Sequence, residues 1–152
     1  MRAVITAHVE SFTQRLPELK PLLDIHWRKL ALNQDTVPLD PQYGVYIARE
    51  ARGEVCFITV RDAGKLIGYW ISFIAPGLHY QTCLTAQMDI WNVLPEYERS
   101  RAPVVLMKAV EAEYIRRGVN RAFAGEKLHK PCGRLYEAFG YTAVETHYSR
   151  MF

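Results

Sequence analysis

The sequence predicts an α/β (α+β) domain built on a mixed, mostly antiparallel central sheet with helices on both faces. Three observations carry that expectation. Residues 55–61 and 66–74 are rich in Val, Ile, Phe, Tyr and Trp and flank Asp62, Ala63, Gly64 and Lys65, which is turn chemistry, so they form an antiparallel hairpin. Residues 82–93 read as a further long strand. A helix beginning at Pro103 and stopping at Gly118 then leads to a short strand over 119–124, and a strand, helix, strand unit beside a hairpin implies a mixed sheet.

Ahead of the hairpin, residues 17–32 carry Leu19, Leu22, Leu23, Ile25, Trp27, Leu30 and Ala31 at the spacing of an amphipathic helix, with Pro17 and Pro21 in or before its first turn. A second helix is marked by Asp40 as N-cap, Pro41 at the first helical position and Gly53 beyond its end. Its Tyr43, Tyr46 and Ile47 face inward, and its charged residues form a solvated face. After Pro76 and Gly77, the element Leu78-His79-Tyr80 makes the turn into the long strand. The helix after Pro103 presents Leu106, Ala109, Val110 and Tyr114. Residues 131–139 form a last helix ended by Gly140, and 141–150 supply one or two closing strands. No repeat, linker or low-complexity tract interrupts 1–152, which reads as one domain.

With 152 residues, 49% hydrophobic and 23% charged, the composition is that of a globular domain with a real core. The longest apolar run, 66–75, is broken by Gly68 and Ser72 and falls short of the roughly 20 residues a membrane span needs. Residues 3–7 are too short for the apolar region of a signal peptide. Cys56, Cys83 and Cys132 are widely separated, which argues against a disulfide framework or a zinc site and for a reducing cytoplasm. A net charge of +3 comes without a dense basic block interleaved with aromatics, so nucleic acid is not an expected partner, whereas a phosphate-bearing ligand suits the charge.

The stretch Pro95-Glu96-Tyr97-Glu98-Arg99-Ser100-Arg101-Ala102-Pro103 lies between an apolar strand and a helix. It has the layout of a loop whose backbone N–H groups hold a pyrophosphate at a helix start, without the glycines such loops normally use.

Three segments resemble the GNAT superfamily of N-acetyltransferases: Gly64-Lys65-Leu66-Ile67-Gly68-Tyr69, the strand from Asp89 through Leu94 with its terminal Pro95-Glu96-Tyr97, and Gly133 through Tyr141, similar to a Y-x-x-x-G-F ending. The resemblance covers 54–152, and the first two helices are compatible with it. The Leu78-His79-Tyr80 element is also similar to a phage-encoded branch. The resemblance implies acetyl-CoA as acyl donor, no metal, and a loop of the form Q/R-x-x-G-x-G/A. Its register falls on residues 98–103, where Glu98, Arg101 and Pro103 depart from it. Donor-binding positions are then Arg99, Ser100, Arg101, Ala102 and Val104, with the strand backbone near Trp91 and Val93 polarising the acetyl carbonyl. Arg99 and Arg101 either supply guanidinium donors in place of backbone ones or are solvated loop charges.

By the same resemblance, Asp89 holds the position of a general base, nine residues before Glu98, unless it only pairs with a nearby Lys or Arg. Tyr136 matches the tyrosine that protonates the departing thiolate, unless it is a packing residue beside Phe139. His79, Tyr80 and Glu126 are placed at the acceptor side, with His129 and Lys130 beside them, and Cys132 is a packed thiol near a helix start. Two readings follow. One is transfer of an acetyl group to a primary amine of a small molecule or peptide, by direct attack in a ternary complex. The other is a GNAT-like binding or structural protein without catalysis, of a phage-associated kind. Relatives of this kind also pair as homodimers.

Overall fold

Five strands and four helices follow one another in the computed structural model, which describes residues 4–152. They are β1 (Ile5–Val9), α1 (Phe12–Leu30), α2 (Tyr43–Ala51), β2 (Val55–Asp62), β3 (Lys65–Gly77), β4 (Tyr80–Val93), α3 (Ala102–Arg117), β5 (Arg121–Phe123) and α4 (Gly133–Ala138), with a 3₁₀ turn at Pro95–Tyr97. The sheet runs β1-β2-β3-β4-β5; every pairing is antiparallel except β4 with β5, which is parallel. The expected mixed, mostly antiparallel sheet is therefore present, with α1 and α2 on one face and α3 on the other.

The β2–β3 hairpin is tighter than the four-residue turn expected, because Asp62 and Lys65 still pair. Ala63 and Gly64 alone make the connection with φ of 47° and 89°. Positive φ at both central residues matches the twist of the flanking strands. Along β3, Tyr69 and Phe73 face α1 and α2, and Trp70 and Ser72 face α3. Trp70 Nε1 donates to the Tyr114 hydroxyl at 3.0 Å, and that hydroxyl donates to Ser72 Oγ at 2.8 Å, so α3 is fixed in rotation as well as depth. Gly68 lies where a Cβ would come within 2.7 Å of the Asn92 carbonyl oxygen and 2.9 Å of Val60 Cγ1.

Several boundaries differ from expectation, each for a physical reason. Strand β1 was not expected; only Ile5 of its five residues is buried, so it shows no alternation to read. Helix α1 starts at Phe12 and carries Pro17 and Pro21 inside it. A proline in a helix interior costs about 3 kcal/mol; burial of Phe12, Leu19, Leu22 and Leu23 offsets this. Ser11 caps α1 by accepting from the Gln14 N–H, and Glu50 reaches over from α2 to accept from the Phe12 and Thr13 N–H groups at 2.6 and 3.0 Å. Glu50 thus belongs to a helix junction and not to a solvated face, and a carboxylate suits the positive end of α1. Helix α2 begins at Tyr43, after Asp40 and Pro41, and its Ile47 is exposed, while Tyr46 stacks on Phe12 with ring centroids 4.9 Å apart.

Residues 141–150 form no strand. From Thr142 onward every residue is exposed, including Val144 and Tyr148, and three-residue β5 offers too short an edge to pair a long strand.

Replacing Gly68 with Ala forces strand backbone and Val60 apart, and overpacking of this kind costs about 1–3 kcal/mol; a thermal melt of Gly68→Ala is expected to show a lower Tm. Burial pushes the Glu50 carboxyl up, but hydrogen bonds from Thr13, Phe12 and Ser11 outweigh this and hold it below the usual carboxylate range. Its contribution is present above the unfolded-state pKa and is lost as pH falls through the folded one. Denaturation of Glu50→Gln against wild type should show a stability difference at neutral pH that shrinks toward acid pH.

Candidate functional site

Strand β4 pairs with β5 only at Thr85, Ala86 and Gln87. Beyond them it continues to Val93 paired with β3 alone, while the chain leaving β5 turns away. The gap opens into a cleft of about 620 Å³, walled by residues 88–93, by the last turns of α1, by the segment between β5 and α4, and by Pro103 at the start of α3. A smaller cavity of about 200 Å³ between α3, β5 and the end of α4 holds none of the candidate residues.

A β-bulge lies on the cleft wall. Ile90 pairs with Ile71 and Met88 with Ser72, which leaves Asp89 as the extra residue of β4. Asp89 is directed to the α1 and α2 face, where its Oδ2 accepts from the Tyr46 hydroxyl at 2.5 Å. Burial lifts the Asp89 carboxyl above its ordinary range, against the pull of the Tyr46 hydrogen bond and the Arg49 charge. Its partner is a neutral hydroxyl and not the Lys or Arg ion pair considered from sequence. Asn92 faces the same side, opposite Tyr69 in the ladder.

On α1, His26 Nδ1 and the Tyr69 hydroxyl are 2.6 Å apart. Burial pushes the His26 imidazole down to about 4, helped by the charges of Lys29 and Lys127, so it is neutral at pH 7. Lys29 donates to Asn92 Oδ1 at 2.8 Å and pairs with Glu98. None of His26, Lys29 and Asn92 was singled out from the sequence. The available signal was His26 within the apolar stripe Leu19, Leu22, Leu23, Leu30, where a polar residue interrupts the helical period.

Tyr136 is 7% exposed and stands behind the opposite wall. Its hydroxyl accepts from Trp91 Nε1 at 2.7 Å and donates to the Gly125 carbonyl at 2.7 Å, with Met88 Sδ at 3.6 Å. Burial, joined by the neighbouring Cys132 thiol, holds the Tyr136 hydroxyl well above the usual phenol range, and the Trp91 bond offsets this only in part. Trp91 lines the cleft against Tyr136, and Val93 ends the strand, buried, opposite Gly68. Strand β4 turns one backbone edge to β3 and the other toward the cleft.

The loop after β4 has most of its donors committed. Ser100 Oγ donates to the Tyr97 carbonyl at 2.6 Å and accepts from the Ala102 N–H at 3.0 Å. Arg101 donates to the Ile5 carbonyl at 3.1 Å, the Val105 N–H bonds the Arg101 carbonyl, and Pro103 has no N–H. The Arg99, Arg101 and Val104 N–H groups have no hydrogen-bond partner among the described residues, and the Arg99 side chain is exposed. Glu98 sits between Lys29 and Lys130, the latter at 3.6 Å. Burial pushes its carboxyl up, and the two lysines more than reverse that.

The other expected residues are dispersed. His79 and Tyr80 lie at the far end of the β3–β4 hairpin and do not line the cleft; Tyr80 instead stacks under Arg121, which also covers Phe123. Nine residues of strand, about 30 Å at 3.3 Å per residue, separate Tyr80 from Asp89. Glu126 borders the cleft, but its Oε2 accepts from the Cys132 and Gly133 N–H groups, each at 2.6 Å, so it caps α4. Burial pushes the Cys132 thiol up, which disfavours its thiolate form. Among the described residues no cluster of His, Cys, Asp and Glu is suited to a metal ion, and no helix is long and apolar enough to cross a membrane.

A sheet that splits between β4 and β5, with a titratable cleft beside the split and a helix start at its end, is the architecture of an acyltransferase of the acetyl-transferring kind. The chain belongs to the Acetyltransferase (GNAT) family, whose model matches residues 19–141. That family generally uses acetyl-CoA as acyl donor. No curated protein sequence matches the chain. Among solved structures it is similar to a GCN5-related N-acetyltransferase from Ralstonia eutropha JMP134 (15% identity, 97% of this chain and 98% of that one, TM-score 0.77). It is also similar to a ribosomal-protein-alanine N-acetyltransferase from Brucella melitensis biovar Abortus 2308 (17%, 98% and 98%, 0.75). A third is glucosamine-6-phosphate N-acetyltransferase from Arabidopsis thaliana (10%, 98% and 99%, 0.71). At these identities the likeness is one of fold.

The Tyr46 hydroxyl stabilises the ionised form of Asp89, so its removal is expected to raise the Asp89 titration midpoint further. Carboxyl-carbon NMR titration of wild type against Tyr46→Phe measures this, and an unchanged or lower midpoint would contradict it.

Proposed function

We propose that the chain transfers an acetyl group from acetyl-CoA to a primary amine, by direct attack within a ternary complex in the cleft beside β4. The observation that carries this reading is Asp89, bulged into the cleft, half-buried and raised in pKa. A carboxylate of that kind suits taking a proton from an ammonium group near neutral pH. Acetyl-CoA supplies the thioester; its reacting end suits the open edge of β4 between Trp91 and Val93, where backbone N–H groups can polarise a carbonyl. At the diphosphate end, the Arg99 side chain and the N–H groups of Arg99, Arg101 and Val104 are uncommitted donors, with Ser100 and Ala102 shaping the turn that presents them.

In the reaction the amine nitrogen forms a bond to the acetyl carbon and the carbon–sulfur bond breaks. Asp89 accepts the proton lost from nitrogen, through a water since its side chain is short. Tyr136 returns a proton to the thiolate: its O–H turns from the Gly125 carbonyl toward the cleft, and the Trp91 N–H stabilises the phenolate left behind. The acceptor is a small molecule or a peptide. Solved relatives acting on glucosamine-6-phosphate and on a ribosomal protein alanine show that this fold serves both kinds. Three free cysteines suit a reducing compartment such as the cytoplasm.

The second reading, a GNAT-fold protein that binds without catalysis, is favoured by the loop, where Glu98 already holds two lysines and Arg101 already holds β1. Calorimetric titration separates the two. Acetyl-CoA binding that weakens greatly when acetyl-pantetheine replaces it supports the first reading, and no binding at millimolar ligand sinks it. Where acetylation of an amine is detected, Asp89→Asn is expected to lower kcat about 10²–10⁴-fold, the usual scale of a general base. Tyr136→Phe should lower kcat with little change in KM for acetyl-CoA.

A further inference from the structure

Strand β4 turns toward α1 a polar side chain whose hydrogen bonding is half complete. Asn92 is 3% exposed and lines the cleft. Its Oδ1 accepts from Lys29 Nζ at 2.8 Å, whereas its Nδ2 has no acceptor among the described residues. Chemistry fixes which amide atom is which. An ammonium group has only donors, so the oxygen faces Lys29 and the NH₂ points away from it. A buried donor without an acceptor is rare in native interiors, because its desolvation goes uncompensated.

Lys29 is itself paired with Glu98, whose other oxygen faces Lys130 at 3.6 Å. Asn92 offers a neutral N–H donor on the wall that also carries the Asp89 carboxylate, a setting that matches a neutral carbonyl oxygen better than a second carboxylate or a phosphate. The bulge adds a geometric condition. Asp89 and Asn92 are three residues apart and would face opposite sides of a regular strand, but the extra residue puts both on the α1 and α2 face. The Asp89 carboxylate and the Asn92 side chain therefore share one wall of the cleft, with Nδ2 itself covered by its surroundings.

We propose that Asn92 selects the acyl acceptor: its Nδ2 donates to the carbonyl oxygen of an amine that also carries an amide, as in an amino-acid amide or a peptide N-terminus, while Asp89 takes the amine proton. This rests on the acyl-transfer reading above. Lys29 is a positioning residue that fixes the amide's orientation.

The test compares glycinamide, β-alaninamide and 4-aminobutanamide with alkylamines of matched length, using acetyl-CoA and following thiol release. Wild type is expected to favour the best amide over its alkylamine roughly tenfold or more in kcat/KM, because a site built to hydrogen-bond an oxygen rejects the analogue lacking it. Asn92→Leu should bring that ratio close to unity by lowering kcat/KM for the amides. Asn92→Asp, close in shape but without the donor, should lose the preference too, which guards against a packing defect in the leucine variant. Separately, the Asn92 side-chain NH₂ resonances, identified by their absence in Asn92→Leu, should shift when the preferred amide is added without acetyl-CoA. A preference that survives both substitutions, or NH₂ resonances that ignore the amide, overturns the proposal. If acetyl-CoA does not bind and no amine is acetylated, yet those resonances shift, the acyl-transfer reading fails and the carbonyl-binding site stands.

Discussion

Strand β4 loses its second partner halfway along, and most of what is chemically distinctive in this molecule follows from that loss. A strand paired on both edges has no backbone to offer a ligand. Here β5 pairs over three residues and the chain then leaves, so the final turns of β4 keep a bare edge facing the cleft. The bulge at Asp89 sits at the transition and resets which side chains face α1. Tyr136 and Glu126 prop the departing segment open, one through the Gly125 carbonyl and the other through the start of α4. The cleft is thus a property of the sheet, maintained by a few bonds on the segment that left it.

Charge inside the cleft is arranged by commitment more than by number. Glu98 is held by two lysines and Glu126 by two backbone N–H groups, so neither presents a free anion. Asp89 has only the Tyr46 hydroxyl as hydrogen-bond partner, and burial lifts its carboxyl above the ordinary range. His26, buried against Tyr69, adds a neutral imidazole on the facing wall. The result is one carboxylate without an ion-pair partner in a cleft whose other acidic groups are already engaged.

What the sequence disclosed and what it hid divide along physical lines. The β2–β3 hairpin, the long β4 and α3 with its Gly118 stop were legible because apolar runs and turn residues are local signals. Strand β1 was not, since one buried side chain in five makes no pattern. Pro17 and Pro21 suggested a late start to α1, and the Glu50 junction that holds the true start comes from another helix, out of reach of any local rule. Asp89 was placed on β4 by resemblance, but its bulge and its Tyr46 partner depend on register and tertiary packing. His79 and Tyr80 were drawn toward the acceptor side by their position in the chain, and strand length carries them away. Asn92 gave no signal at all, because a missing hydrogen bond exists only in three dimensions.

The sheet was assembled from pieces of very different reach. Strands β2, β3 and β4 are consecutive and joined by short connections, so their pairing closes small loops at little entropic cost. Strand β1 meets β2 only across the whole of α1 and α2. That pairing spans the longest stretch of chain of any in the sheet. Arg101 donates to the Ile5 carbonyl, so the loop at the mouth of the cleft is tied directly to the most distant strand in the sequence.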